Sequence, residues 1–313
     1  MPCVSVIIPA FKSPDYLNQA LASVAGQSFT DLEIIVVDDG SGDECVSQYR
    51  LPPSARLIRL PRPHGGAAVA RNTGLEAARG QYLALLDQDD VWLPEKLERQ
   101  VAVMTAHPEI GVTYCHFSMV DESLRPLEEQ GKFWPPGRDP LRQVLSGRPL
   151  MNPSTMLVRR EVLDACGLFD VRVFCVSDRD LALRIASKFP LHGDPSPLVL
   201  RREHAGQVSR ERLSMRKGQA AVMLKTIGWI ARERPDLLPL ARRRLGRSLR
   251  RLAKAYAAQR DMRPALRLAL EAIRAWPWDP QSYGAVLLAF LRRRGRGGAS
   301  KESGDLLGEL LCK

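Results

Sequence analysis

The chain has 313 residues, of which 45% are hydrophobic and 26% are charged. A chain of this size and composition can bury a large core, and it is long enough for two or three globular domains. The longest apolar runs, residues 32–37 and 82–86, fall far short of the roughly 20 residues that span a membrane. We therefore expect a globular protein without an integral membrane anchor.

The net charge of +11 is unevenly distributed. Residues 1–200 hold 20 Lys and Arg against 25 Asp and Glu, a net charge of −5, whereas residues 201–313 hold 26 against 10, a net charge of +16. The six cysteines form no C-x-x-C pair and have no zinc-like spacing, which favours free thiols in a reducing cytoplasm. The amino terminus has no charged leader and predicts no signal peptide.

The first 115 residues alternate short β-branched strands with helices. The pattern predicts strands at 4–10, 32–37, 56–60 and 81–86, and helices that open at Ser13-Pro14 and lie near 66–78 and 94–106. Such alternation predicts an α/β fold in which a parallel sheet carries helices on both faces. Right-handed crossovers then place the turns after the strands on one edge of the sheet.

Three carboxylates, Asp87, Asp89 and Asp90, follow the strand at 81–86 directly. Carboxylate oxygens are the ligands that hard divalent cations such as Mg²⁺ prefer, so this junction predicts a metal site. The alternative is an acidic turn whose last member caps the helix near Pro94, and for Asp90 this alternative weighs at least as much. Three acids in four residues exceed what capping needs.

Three further turns carry polar or glycine residues on the same predicted edge. They span residues 9–12, 38–41 and 65–72. A carboxylate such as Asp39 can accept a hydrogen bond from a base, a glycine-opened helix start can approach phosphate, and Arg71 can pair with phosphate bidentately. Each turn is weak evidence alone. Together they predict a site for a nucleoside diphosphate and its metal.

The four turns resemble the successive signatures of family 2 glycosyltransferases of the GT-A fold. The motifs are Val4-Ser-Val-Ile-Ile-Pro-Ala-Phe11, Ile35-Val-Val-Asp-Asp-Gly-Ser41, Ala70-Arg-Asn-Thr-Gly74 and Leu86-Asp-Gln-Asp-Asp-Val-Trp-Leu-Pro94. The resemblance extends over about the first 205 residues. It implies a GT-A fold with a mostly parallel central sheet, followed by an α-helical C-terminal region.

The resemblance also implies roles for single residues. Asp39 would recognise the base, Arg71 would contact the diphosphate, and Asp87 would serve ribose and metal, with Asp89 the most direct metal ligand. Pro9 and Phe11 would line the nucleotide. Phe11 stands where the family often has tyrosine, which preserves ring stacking, and Lys12 where it often has asparagine, which would lose a contact made by that amide.

Residues 116–205 resemble the acceptor-binding half of the same fold. Residues 150–158 are similar to the family's central strand, 166–170 to its glycine-phenylalanine-aspartate turn, and 176–184 to the segment that carries the general base. There Ser177 replaces the usual glutamate, and Asp178 aligns with the base. A carboxylate is suited to taking a proton from a sugar hydroxyl. The alternative is that Asp178 only caps a helix.

The resemblance gives His204 a role as well, because the family often returns a histidine to the metal or diphosphate at this point. A lone histidine is more often structural or solvated, and the two interpretations weigh equally. The remaining histidines, 64, 107, 116 and 192, are expected on loops or at helix ends.

The basic C-terminal part is predicted to be helical, with helices at 241–259 and 264–276 and a last helix through Leu291. It resembles a tetratricopeptide-type hairpin, although one unit is fewer than the three usually needed for a solenoid. Its arginines, at positions 242, 243, 244, 247, 250 and 251, form either solvated surface or a face for anionic lipid. No aromatic platform supports nucleic acid. Residues 295–305 have the composition of a flexible linker.

The sequence as a whole predicts four segments: a nucleotide-sugar-binding half at 1–115, an acceptor-binding half at 116–209, a helical region at 210–294 and a flexible tail at 295–313. The predicted function is inverting, Mg²⁺- or Mn²⁺-dependent sugar transfer, from a UDP-sugar above all, to a carbohydrate, lipid-linked or protein acceptor. The predicted place is the cytoplasm, with peripheral contact at the inner face of the membrane. The alternatives are a non-catalytic binding protein and a nucleotidyltransferase, whose usual glycine-rich loop is not found at residues 9–12.

Overall fold

The structure is a computed structural model that describes residues 1–60, 64–128, 130–148, 151–173, 175–207 and 212–293. The chain divides into two compact units. The first comprises residues 1–170 and 181–205, and the second comprises residues 171–180 and 206–313. The linker and tail expected after residue 294, and Cys312, lie outside the described residues. Five cysteines are described, and all five are free thiols.

The first unit contains a sheet and its covering helices. The strands are β1 Val4–Ala10, β2 Leu32–Asp38, β3 Ala55–Arg59, β4 Tyr82–Leu85, β5 Val91–Trp92, β6 Val112–Val120, β7 Met156–Arg159 and β8 Leu191–Arg202. The helices are α1 Pro14–Ala25, α2 Asp43–Val46, α3 Ala67–Ala77, α4 Lys96–Ala106, α5 Pro140–Ser146 and α6 Arg160–Cys166, and α7 Ser177–Ala186 runs from the second unit into the first. The predicted strands and helices of the first 115 residues are confirmed within one or two residues at each end.

The described strands form one sheet in the order β3-β2-β1-β4-β7-β6-β8-β5. The neighbours are parallel from β3 to β4 and between β6 and β8. They are antiparallel at β4–β7, β6–β7 and β5–β8. The α/β fold is confirmed, but the sheet is mixed rather than wholly parallel, because β7 runs antiparallel to both of its neighbours, β4 and β6.

β1 lies between β2 and β4, so the chain reverses its direction of winding across the sheet at this strand. Ligands of open α/β sheets bind outside the carboxyl ends of the strands at such a reversal. β1, β2 and β4 are parallel and deliver Phe11, Asp39 and Asp87 to this edge.

The core explains why Gly74 is glycine. β1 is buried along its whole length, and α3 packs directly on it. A Cβ at Gly74 would lie 2.4 Å from Cγ2 of Ile7, closer than real atoms approach. Glycine therefore allows α3 to approach β1, and the position of α3 fixes that of Arg71 on its first turns.

Three local expectations are wrong. Asp90 does not cap the helix near Pro94, because the short strand β5 intervenes and Glu95 occupies the cap position of α4. The strand expected over 150–158 is shorter. It begins at Met156, since Asn152 and Thr155 form a capping box around a single 3-10 turn at Pro153–Thr155. His116 and His192 lie in β6 and β8 rather than on loops or helix ends.

The second unit contains the first turn of α7 and the helices α8 Arg212–Glu233, α9 Leu238–Ala258, α10 Met262–Ala275 and α11 Pro280–Arg293. α9 and α10 form a hairpin through a turn in which Arg260 adopts a left-handed backbone, φ 64°. A Cβ at Gly246 would lie 3.0 Å from the carbonyl oxygen of Ala272, so glycine brings the two helices close together. The helical prediction for this region is confirmed, and its kinship to tetratricopeptide repeats stays a prediction.

The arginines of α9 do not form one solvated face. Arg250 is buried, and its Nε lies 2.9 Å from Oδ2 of Asp279. Arg242, Arg243 and Arg251 are exposed, whereas Arg244 is half-buried. Across the described ranges, no helix combines the length and the hydropathy needed to cross a membrane.

Candidate active site

The loop after β1 is held by the acidic loop after β4. The backbone N–H of Phe11 donates to Oε1 of Gln88 at 2.8 Å, and Nε2 of Gln88 donates to the carbonyl of Phe11 at 3.0 Å. Lys12 adopts a left-handed backbone, φ 51°, which asparagine enters more readily than lysine. Its N–H donates to Oγ of Ser41, so the loops after β1 and β2 are joined too. Pro9 is buried within β1, and only Phe11 projects beyond the strand.

Asp39 organises the glycine-rich start of α3. Its carboxylate accepts hydrogen bonds from the N–H groups of Gly65 at 2.9 Å and Gly66 at 2.7 Å, and Nδ1 of His64 lies 2.6 Å from Oδ2. Gly66 has φ 89°, a conformation that favours glycine. A carboxylate offers about four acceptor positions, so Asp39 retains capacity for a further donor.

His64 stacks on Phe11, the ring that is predicted from the sequence to stack on the nucleotide base. The ring centroids of Phe11 and His64 are 4.0 Å apart and the ring planes meet at 19°. His64 lies on a loop, as expected, and its contacts with Phe11 and Asp39 were not predicted.

Arg71 pairs with the first carboxylate after β4. Its Nη2 lies 2.5 Å from Oδ1 of Asp87, and its guanidinium lies 5.4 Å from the ring centre of Phe169. The neighbouring Asn72 exchanges two hydrogen bonds, of 2.9 and 3.0 Å, with the backbone of Phe169. The glycine-phenylalanine-aspartate turn thus supports Arg71, although the two motifs lie 97 residues apart.

The carboxylates of Asp87, Asp89 and Asp90 form one cluster. One oxygen from each lies within 4.8 Å of the others, close enough to share a cation. Asp90 is buried, and burial together with the charges of Asp89 and Asp87 raises its pKa well above the usual value. Ser154 donates from Oγ to Asp90 at 2.5 Å and accepts the N–H of Asp87 at 3.1 Å. Ser154 therefore fixes the loop that carries the cluster.

His204 and Arg202 approach the cluster from the end of β8. Nε2 of His204 lies 3.1 Å from Oδ2 of Asp89. Arg202 is fully buried, donates from Nε to the carbonyl oxygen of Asp89 at 2.9 Å, and donates its own backbone N–H to Asp90 at 3.2 Å. Tyr16 packs against both, with its ring centroid 5.1 Å from that of His204. The C-terminal strand of the first unit thus completes the loop after β4.

Asp178 lies in the first turn of α7, within the second unit. Its Oδ1 accepts the backbone N–H of Arg179 at 2.8 Å. Two residues further on, the buried Asp180 forms an ion pair with Lys225 of α8, with 2.9 Å between Oδ1 and Nζ. This pair anchors the turn that carries Asp178 to the helices of its unit.

The structure joins most of the predicted residues of the first unit in pairs: Phe11 with the acidic loop, Arg71 with Asp87, and Asp89 with His204. The residues that connect these pairs were not predicted from the sequence; they are His64, Gln88, Ser154 and Arg202. Gln88 stands inside the acidic motif, so its position was a usable signal. Arg202 and Ser154 carry no signal of their own, because distant strands bring them to the site.

Comparison with known proteins points to the same family as the sequence motifs. The profile of the family described as Glycosyl transferase family 2 matches residues 5–167, just over half of the chain. An uncharacterized glycosyltransferase of Rickettsia prowazekii is 29% identical over 218 residues, which cover 68% of this chain and 68% of that protein. TuaG of Bacillus subtilis, named for teichuronic acid biosynthesis, is 36% identical over 131 residues, which cover 41% of this chain and 52% of TuaG.

A solved structure resembles the chain over nearly its whole length. The crystal structure of S. aureus TarS 1–349 in complex with UDP-GlcNAc matches with a TM-score of 0.68 at 18% identity, covering 93% of this chain and 89% of that one. At this identity the likeness concerns the fold. The family match, the glycosyltransferase relatives and the cluster at the carboxyl ends of β1, β2 and β4 lead to one conclusion: the chain belongs to glycosyl transferase family 2 and is a glycosyltransferase with a GT-A fold.

Proposed function

We propose that the protein transfers a sugar from a nucleotide-diphosphosugar to an acceptor hydroxyl in a metal-dependent reaction that inverts the anomeric centre. The observation that carries the proposal is the connected set Arg71–Asp87 and Asp89–His204 at the switch point of the sheet. UDP-sugars are the preferred donor class, since a TarS structure holds UDP-GlcNAc. The name of TuaG supports polysaccharide biosynthesis as the context.

The residues present fit a divalent cation. The clustered carboxylates offer hard oxygen donors within 4.8 Å of one another, and His204 adds an imidazole nitrogen 3.1 Å from Asp89. Mg²⁺ and Mn²⁺ accept such oxygen donors. Asp89 would be the direct ligand, with Asp87 and His204 beside it, while Ser154 and Arg202 hold Asp90 as part of the scaffold. A bound cation would neutralise charge on the departing diphosphate.

The chain's own groups have separate tasks in this mechanism. Phe11 offers a ring face and Asp39 an acceptor to the base, and the guanidinium of Arg71 stabilises the charge that grows on the leaving diphosphate. For the base to stack on the covered face of Phe11, His64 must leave its present position on that ring. Asp178 removes the proton from the acceptor hydroxyl as that oxygen attacks the anomeric carbon. One displacement inverts the centre and requires no covalent nucleophile.

The acceptor is a carbohydrate, a lipid-linked sugar or a protein, and nucleic acid is not among the partners proposed. The exposed Arg242 and Arg243 suit peripheral contact with anionic lipid, which would place the enzyme in the cytoplasm at the inner face of the membrane. The segments 1–115, 116–209 and 210–294 are the proposed nucleotide, acceptor and helical regions. In the structure, the turn that carries Asp178 groups with the helical region.

Donor hydrolysis by the purified protein tests the proposal. Wild-type protein is incubated with a panel of UDP- and GDP-sugars and Mg²⁺ or Mn²⁺, and nucleotide release is measured. Asp89→Asn should abolish release, whereas Asp43→Asn, the same change at an exposed aspartate of α2, should not. Proton NMR of the transferred sugar then reports the anomeric configuration. Tight nucleotide binding without hydrolysis or transfer would favour the non-catalytic alternative.

A further inference from the structure

Four arginines of the second unit lie close enough together to act on one another electrostatically. Arg244, Arg247 and Arg251 stand at positions i, i+3 and i+7 of α9, and therefore on one face of that helix. Arg179, in the first turn of α7, acts electrostatically on Arg244 and Arg251. We call these four residues the guanidinium cluster.

Arg244 is the most enclosed member of the cluster on α9. Its side chain is half-buried, and its Nε is covered from solvent without a hydrogen-bond partner among the described residues. Burial and the positive charges of Arg179, Arg251 and Arg247 lower the pKa of Arg244 to about 10. A covered N–H of a charged group is costly when no acceptor reaches it. Arg244 therefore differs from an ordinary solvated arginine of the protein surface.

The cluster has few counter-charges: the charge of Asp279 acts on Arg247, and that of Asp178 acts on Arg179. On the same helix Arg250 pairs with Asp279, but within the described ranges no carboxylate forms an ion pair with Arg244, Arg247 or Arg251. The positive charge of Arg216, on α8, also lowers the pKa of Arg251. Burial lowers the pKa of Arg179, and the negative charge of Asp178 partly offsets this effect. Like charges held close together destabilise a fold, and two carboxylates offset only part of the charge of four arginines, so such a set suits an anionic ligand.

We infer that the guanidinium cluster binds a phosphate group and, resting on the proposed function, that this phosphate belongs to the sugar acceptor. Arg71 and the clustered carboxylates of the first unit already account for the donor diphosphate. Arg179 follows the proposed base directly in the chain, so a phosphate held by the cluster would belong to the molecule that Asp178 deprotonates. Guanidinium groups bind phosphate oxygens bidentately, and several of them suit a multiply charged phosphate better than a carboxylate.

The geometry favours a single phosphate group over a membrane surface. A flat anionic surface would meet the exposed Arg242, Arg243 and Arg251, whereas the Nε of Arg244 is covered and without an acceptor among the described residues. A single phosphate group would have to enter between the arginines to supply the acceptor that this N–H lacks. A phosphorylated sugar or a phosphodiester-linked glycan has the required chemistry.

Calorimetric titration of the full chain with inorganic phosphate, in the presence of saturating UDP and Mg²⁺, tests this inference. Wild-type protein should bind phosphate, and Arg244→Gln should weaken binding about tenfold or more, as expected for the loss of a charge-assisted hydrogen bond. Arg243→Gln removes the same charge from an exposed site on the same helix and should change the affinity less than about twofold. Arg251→Gln and Arg244→Lys serve as second variants if Arg244→Gln fails to fold.

Three outcomes would overturn the inference. Equal losses in Arg243→Gln and Arg244→Gln would mean that only net charge matters. Glucuronate binding as tightly as phosphate would replace the phosphate by a carboxylate ligand. Binding of anionic vesicles that depends on Arg244, without binding of free phosphate, would assign the cluster to lipid headgroups. Asp89→Ala separates the two proposals, since it should lose UDP affinity and, titrated without UDP, keep phosphate affinity.

Discussion

Nε2 of His204 lies 3.1 Å from Oδ2 of Asp89, although 115 residues separate them in the chain. His204 follows the end of β8, which brings its side chain to the loop after β4. The buried Arg202, the last residue of β8, donates to the carbonyl oxygen of Asp89 and so fixes the backbone of that loop. An imidazole and a carboxylate in this arrangement can bind one cation together. The contact therefore makes the interpretation of His204 as part of the metal site specific enough to test.

Replacement of His204 by alanine should weaken Mg²⁺-dependent UDP binding about 10- to 100-fold, because removal of a ligand or of its supporting group typically has this effect. Asp89→Ala should abolish the dependence on metal. Calorimetry with and without chelator measures both, and His107→Ala, at an exposed histidine, is the matched control. Equal UDP affinity with and without chelator in wild-type protein would refute the metal assignment.

Asp178→Asn should lower turnover by on the order of 10²-fold or more and leave donor affinity unchanged, because a general base acts in the transition state. Asp180→Asn, two residues away, should act differently. It breaks the ion pair between the buried Asp180 and the half-buried Lys225, so we expect it to reduce the free energy of unfolding by roughly 2 kcal/mol. Steady-state kinetics and urea unfolding of both variants distinguish the roles. Wild-type turnover in Asp178→Asn would place the base elsewhere.

Lys96 should make stability depend on alkaline pH. It is fully buried, with Nζ 4.0 Å from the ring centre of Trp92 and 2.7 Å from Oε1 of Gln100, and burial lowers its pKa to about 8. The unfolded chain holds the proton more tightly, so the free energy of unfolding rises with pH above 8 until the unfolded lysine also loses its proton. Between pH 7 and 9.5 we expect a gain of about 2 kcal/mol over Lys96→Met.

Urea unfolding of wild-type protein and Lys96→Met at several pH values measures this difference. The comparison cancels the titration of groups that do not interact with Lys96, and the pKa of Cys115, which does, is raised by burial to about 11, above the pH range measured. A difference between the two proteins that is constant from pH 7 to 9.5 would show that Lys96 does not titrate in this range.

Anionic vesicles should bind the protein at low salt and release it at physiological salt, since exposed charges are screened beyond about 8 Å at 0.15 M. Glutamine at Arg242, Arg243 and Lys254, all exposed on α9, should weaken binding further. Arg250 is unsuitable for this test, because it is buried and pairs with the half-buried Asp279, so Arg250→Gln should destabilise the fold by roughly 2 kcal/mol. Co-sedimentation measures binding. A protein that ignores vesicles even at low salt would favour a soluble acceptor.

The local pattern of the sequence was sufficient for the elements that are themselves local. β1 is predicted at its observed bounds because a short β-branched segment ends at a polar turn, and α1 begins where Ser13-Pro14 predicts. The acids at 87–90 and Arg71 could be assigned to one edge, because parallel strands joined by right-handed crossovers leave little choice for their turns. The order of the motifs added the family.

Contacts between distant segments could not be deduced in this way. Asp90 has the sequence context of a helix cap, yet Ser154 and Arg202, 64 and 112 residues away, hold it inside the fold. The run of arginines on α9 has a single character in the sequence, but packing buries Arg250 against Asp279 and leaves Arg243 exposed. Periodicity determines which face a side chain occupies. Only the tertiary structure determines what meets that face, because the partner comes from another part of the chain.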